Sequence, residues 1–331
     1  MKKSLIYLFS LLCMLTLVTS CSDDEKGGTD DAWKEISKEY TSGITANGLS
    51  TSGTVNVNAA SADKATIILN NVVAGESSVS VDATLTKTDA GYAFEGESTA
   101  TTCNVKVSGT IENGKLTAAI SRTLTSSLTG TMDLNFISGK SLMAQTYFEI
   151  NTGNTEQDAI LKGMATSFLG QLIAQQVESV SVELGEEGTF SFSFKKVGAS
   201  EETVMPPAKL QEMIKSYLTW YEKENVLYLA VHKDALTILS GLNILPENID
   251  LETILGLLTV EGDYYTIPLQ VKEEDGLTTI YLNKDILVKV WEVAKPLVGN
   301  IQDETIQSIL AMVDQVMASA KEIEVGLVFK K

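Results

Sequence analysis

VSGTIENGKLTAAI, residues 107–120, is the stretch on which the fold class turns. Val105, Val107 and Ile111 lie on one side of an alternating run, with Gly109 between them. Alternation at period two describes a half-buried strand. Asn113-Gly114 then interrupts the alternation, and KLTAAI resumes it. Both central positions of a type I′ turn need positive φ, which Asn and Gly tolerate, so the stretch predicts a β-hairpin.

The same grammar extends outward. Val79, Val81, Ala83 and Leu85 share a face, and Asp89-Ala90-Gly91, between ATLTK and YAFEGE, predicts a second hairpin with a three-residue loop. Strands are expected near 40–48, 54–58, 64–70, 77–87, 91–98, 104–112 and 115–122. Consecutive antiparallel pairing makes a meander, as a sandwich or a half-barrel, and residues 34–138 are expected to form an all-β domain.

From Leu142 onward strands alternate with amphipathic helices, an α+β pattern. Thr155-Glu156-Gln157-Asp158 predicts a helix start, with Ile160, Met164, Phe168, Leu172 and Ile173 as its inner stripe. Asp303 predicts another, with Ile306, Ile309, Leu310, Val313, Val316 and Met317 facing inward. Hairpins are expected in VSVELGEEGTFSFSF, YLTWYEKENVLYLAV and DYYTIPLQVKEEDGLTTIYL, flanked by strands at 142–150 and 322–329. Eight strands suffice to close a small antiparallel barrel that fills itself or holds one ligand. Residues 139–331 are therefore expected to form such a barrel carrying helices.

The N-terminus gives an address. Lys2 and Lys3 precede an apolar run from Leu5 to Val18 that is too short to span a bilayer comfortably, so residues 1–20 read as a signal peptide. Val18-Thr19-Ser20-Cys21 resembles the lipobox of bacterial lipoproteins, which implies cleavage before Cys21 and acylation of that residue. Multiple acyl chains, at about 0.8 kcal/mol per buried methylene, make a lasting membrane anchor. Residues 21–33 then form a lipidated acidic tether. Ser22-Asp23-Asp24-Glu25 resembles the export signal of surface lipoproteins of Bacteroidetes, and otherwise reads as solvated spacer. The expected location is the outer membrane, exposed at the cell surface, with the periplasmic face as the alternative.

Composition excludes several functions. Loss of Lys2 and Lys3 takes the formal charge from −18 to −20, which repels nucleic acid, and the single arginine, Arg122, reinforces that exclusion. Cys13 leaves with the signal and Cys21 takes lipid, so Cys103 has no intramolecular partner; it reads as small apolar filler, with a nucleophile as the alternative. Triads and most zinc sites need imidazole, and the one histidine, His232, ends the strand VLYLAVH ahead of a helix cap, with a general base as its alternative role. No phosphate-cradling glycine loop is present: GITANGLSTSG lacks the P-loop lysine. Glu95 and Glu97 flank Gly96 on one strand face as a candidate carboxylate pair, equally the position of solvated acids. No cofactor and no metal are expected.

The runs YAFEGE, VSGTIENGKLTAAI, TFSFSF and LTWYEKENVLYLAV together resemble the calycin-like, or lipocalin-like, lipoproteins of Bacteroidetes. That resemblance implies barrel or half-barrel modules in tandem, a surface address and no catalytic residues. Tyr217, Trp220, Tyr221 and Tyr228 in one hairpin, Tyr264, Tyr265 and Tyr281 in the next, and Trp291 on a helix could line a cavity for a glycan or lipid, or plug the barrel as core. The expectation is a non-catalytic, surface-anchored binding protein with surface proteins as further partners. A fimbrial-type adhesive subunit is the second reading and a two-carboxylate glycan hydrolase the third.

Overall fold

Asn113 and Gly114 take φ of +50° and +75°, and the hairpin they form joins two strands of a nine-stranded sheet. The structure, a computed structural model, describes residues 31–138, 142–207, 214–236, 238, 255–298 and 304–331. The signal peptide, Cys21, the rest of the tether up to residue 30, and Asp303 lie outside the described residues, as do the side chains of Ile306, Ile309 and Leu310.

The first sheet contains β1 (Glu39–Tyr40), β2 (Ile44–Ala46), β3 (Leu49–Ser50), β4 (Thr54–Ser61), β5 (Lys64–Asn70), β6 (Ser78–Lys87), β7 (Gly91–Thr99), β8 (Cys103–Glu112) and β9 (Lys115–Leu124). β4 to β9 form an antiparallel meander. β1 pairs with the outer edge of β4, while β2 runs parallel to the outer edge of β9. Only residues 41–43 separate β1 from β2. At about 3.6 Å per residue they cannot bridge a flat six-stranded sheet, so the meander must curl until its edges meet. Gly43 makes the turn: its φ is +75°, its carbonyl accepts from Ala118 N at 2.8 Å, and a Cβ there would lie 2.0 Å from Leu116 O. Inward positions are filled by Val55, Val57, Ile67, Leu69, Val81, Phe94, Val107 and Ile120, all buried.

The second sheet belongs to β10 (Gly130–Leu134), then, after the small hairpin β11 (Phe136–Ser138) and β12 (Leu142–Ala144), to β13 (Thr146–Asn151). Helix α1 (Thr155–Gln176) follows, then β14 (Val177–Leu184), β15 (Phe190–Lys196), β16 (Thr203–Met205), β17 (Leu218–Lys223), β18 (Val226–His232), β19 (Thr259–Glu261), β20 (Tyr264–Glu274) and β21 (Leu277–Leu282). Helices α2 (Lys284–Val298) and α3 (Glu304–Ser319) lead to β22 (Glu322–Lys330). The hydrogen-bonded order is β16-β15-β14-β10-β22-β21-β20-β18-β17, with β13 beside β22 and β19 beside β20. This path is antiparallel and open, and it curls into a half-barrel. The change of sheet falls between Leu124 and Gly130, and a continuous buried cluster runs from Ile36 to Phe329. The chain is thus mainly β with curled sheets. Among the described residues no helix is long and apolar enough to cross a membrane.

Helix α1 departs from the expected packing. Its N-cap is Asn154, one residue before Thr155, with Oδ1 accepting from Gln157 N at 3.2 Å. Ile160, Met164, Phe168 and Leu172 are exposed, at 58, 62, 53 and 43%; of the expected stripe only Ile173 packs inward, beside Ala165 and Leu169. The apolar arc of this helix is wide enough that spacing alone does not select its buried side. Gly170 selects it: a Cβ there would lie 2.5 Å from Ala144 O, so the helix comes closest to β12 along its smallest residue.

Polar ties cross between the sheets. Asp263, 3% exposed, accepts from Thr51 Oγ1 at 2.8 Å, from Ser52 N and Oγ at 2.7 Å each, and from Lys233 Nζ. Burial alone would raise its pKa, but the hydrogen bonds from Lys233, Ser52 and Thr51 outweigh it and hold the carboxyl well below the usual carboxylate range. Arg122 and the loop carbonyl of Glu186, which accepts from Leu124 N at 2.7 Å, add further ties.

Two outcomes follow from these contacts. Gly43→Ala should destabilise the fold by about 2–4 kcal/mol in urea unfolding, since it meets both a left-handed φ and a backbone clash. Asp263→Asn should cost about 2–4 kcal/mol at pH 7. Because the folded pKa is depressed, that stabilisation is present above the unfolded value near 4 and is lost as pH falls toward the folded one. The gap between wild type and variant should therefore be full above about pH 5, begin to narrow below about pH 4, and still be largely present in urea titrations run at about pH 3.

Candidate ligand-binding cavity

The concave face of the half-barrel is built by alternation. Val180, Val182 and Leu184 on β14, Phe190 and Phe192 on β15, and Leu227 and Leu229 on β18 turn to one side, as do Val325, Leu327 and Phe329 on β22. Helix α1 lays Leu169 and Ile173 across them. What they enclose is a cavity of ≈520 Å³ whose polar contributors are few, among them Thr146, Ser191 and Tyr281. Gly326 keeps the floor low, because a Cβ there would lie 2.4 Å from Ile280 O. A drug-sized or acyl ligand fits such a volume, and its binding would be driven by removal of apolar surface from water.

Among the described residues, the lining carries no carboxylate, amine, imidazole or thiol, and its hydroxyls are those of Thr146, Ser191 and Tyr281. Burial pushes the Tyr281 hydroxyl above its ordinary pKa, with the Glu324 carboxylate adding to it. Its ring packs on Tyr147 at 5.0 Å, and Tyr147 donates to Glu324 Oε2 at 2.7 Å. The lining is thus an apolar surface of the kind that buries small ligands.

Of the eight candidate aromatic residues, Tyr281 alone lines this cavity. Trp220, 0% exposed, is core: its backbone N–H and Nε1 donate to Gly188 O and Gly185 O, both at 3.0 Å, fastening the β14–β15 loop to β17. Tyr221 stacks on Tyr228 at 4.8 Å and donates to Glu261 Oε2 at 2.5 Å. Tyr217 and Tyr264 flank His232, at 6.2 and 5.2 Å between ring centres. Tyr265 is half-buried on β20, and Trp291 joins α2 to α3 by donating to Asp314 Oδ1 at 2.8 Å.

The remaining candidates are also separate. His232 is buried, and its Nδ1 accepts from Asp234 N at 3.3 Å. Cys103 is fully buried, and burial pushes its thiol up. Glu95 and Glu97 stand exposed on the outside of the first sheet, and Glu97 pairs with Lys106 at 2.7 Å. Among the described residues no group of three or more His, Cys, Asp or Glu side chains could hold a metal ion.

The cavity-lining residues missed in the sequence are ordinary aliphatic side chains and Phe190, Phe192 and Phe329. Their only signal is the alternation itself, which marks an inward face without saying whether that face is filled. No protein-family model, curated protein or solved structure matches this chain.

Filling the space tests its character. Val182→Phe should change stability by less than about 1.5 kcal/mol, since the added ring enters existing volume, and should weaken N-phenyl-1-naphthylamine binding at least about fivefold in a fluorescence titration.

Proposed function

We propose that this chain is a lipid-anchored, non-catalytic binding protein whose half-barrel takes an apolar ligand of the acyl-chain type. The observation that carries the reading is the ≈520 Å³ cavity with its largely apolar lining. A glycan would need converging hydrogen-bond donors, whereas the cavity's polar contributors are few, among them Thr146, Ser191 and Tyr281. The half-barrel is, in this reading, a calycin-like barrel left open on one side, with α1 laid across its concave face. Val18 to Cys21 supports the anchor and an outer-membrane, surface-exposed address.

Native mass spectrometry and thermal-shift titration with saturated fatty acids of increasing length test the binding. Affinity should rise by up to about fourfold per methylene until the cavity is full, because each contributes about 0.8 kcal/mol. A flat response to chain length would count against the reading. Separately, radioactive palmitate should label wild-type protein in cells and leave Cys21→Ala unlabelled.

A further inference from the structure

Arg122, the chain's single arginine, is only 5% exposed. Its Nη1 donates to Ala74 O at 2.6 Å, and its Nη2 donates to Thr219 Oγ1 at 2.6 Å and Trp220 O at 3.0 Å. All three acceptors are uncharged. The carboxylate whose field reaches it, Glu76, spends Oε1 on the backbone N–H and hydroxyl of Thr102, at 2.8 and 2.9 Å. The Nε–H has no acceptor, which leaves a buried charged donor unsatisfied. A buried cation ordinarily has an anion beside it, and none is supplied here by direct contact.

The same guanidinium forms part of the wall of a pocket of ≈610 Å³ between the first sheet and β17. Thr219 and Tyr264 lie in that wall, Lys106 and Lys215 bring positive charge to it, and Glu187 brings one negative charge. Gly188, at φ +84°, keeps the space beside the guanidinium open: a Cβ there would lie 3.0 Å from Nη2 and 2.6 Å from Thr219 Oγ1. This pocket is separate from the apolar cavity, and the inference from it does not rest on the acyl-binding reading.

We propose that the pocket binds a small carboxylate, with Arg122 and Lys215 as its cationic partners. A monoanion is the species that fits. One buried guanidinium supplies a single charge, Lys106 is already paired with Glu97, and the surrounding protein carries a formal charge of −18. A phosphate dianion would meet more repulsion and need more donors than remain.

Because the chain has one arginine, its ¹H–¹⁵Nε correlation is a single resonance that reports this site without assignment. Acetate and butyrate titrated into the ¹⁵N-labelled full chain should move that signal downfield and saturate at millimolar concentration, near −4 kcal/mol. Butyramide, which has the same shape without the charge, should leave it in place. Lys215→Gln should weaken the response several-fold with an unchanged melting temperature, since Lys215 is exposed. A resonance unmoved by carboxylates would overturn the proposal. So would an equal shift with chloride or phosphate at matched ionic strength, or a Lys215→Gln titration identical to wild type.

Discussion

The constraint on which this structure depends is the hydrogen-bonding demand of sheet edges. Every buried backbone N–H and C=O needs a partner, and an open edge offers a row of groups without one. The first sheet answers by closure: the segment from Lys38 to Ala46 bonds β4 at one end and β9 at the other, with Gly43 as the only residue type that fits the turn. Closure at so few strands gives a narrow cylinder, and Val, Ile and Leu side chains fill it.

The second sheet answers the same demand differently. Its path stays open between β16 and β17, and the backbone of β17 is served instead by the Gly185–Gly188 loop through Trp220. A wider curl leaves a larger radius than side chains from one face can fill, and α1 covers only part of it. The cavity is thus a consequence of strand number and openness rather than of any special residue. That also explains why its lining is chemically plain, while Trp220, Tyr221 and Trp291 serve elsewhere as fasteners.

Between the two sheets the chain places its polar ties under cover. Asp263 gathers four donors from two elements distant in sequence, and Arg122 gathers two carbonyls and a hydroxyl. Asp263 is satisfied and ionised, and its geometry is explained by holding the Thr51-Ser52 turn to β20. Arg122 is left with an unpaired Nε–H, and its side chain also forms part of the wall of a pocket.

Alternation made the strands legible in the sequence. Period two in Ser78–Lys87 and Lys115–Leu124 names the buried side of each strand, and Asn113-Gly114 names the turn, because these are local consequences of pleat geometry and of the φ that each residue tolerates. That the chain has a single histidine was legible from composition, and the structure buries Cys103 completely. The buried face of α1 was not, since Ile160 through Ile173 spread over more than half the helix and only contact between Gly170 and Ala144 chooses a side. By itself the sequence determined the longer strands and which way each faces, because propensity and period act within a few residues. The short strands β10, β11, β16 and β19, and the break of the expected 40–48 strand at Gly43, depend on distant partners. Only the tertiary structure decided which sheet closes, which stays open around a cavity, and which side chains from distant segments meet at Asp263 and Arg122, because those outcomes depend on how far an edge must travel to find its partner.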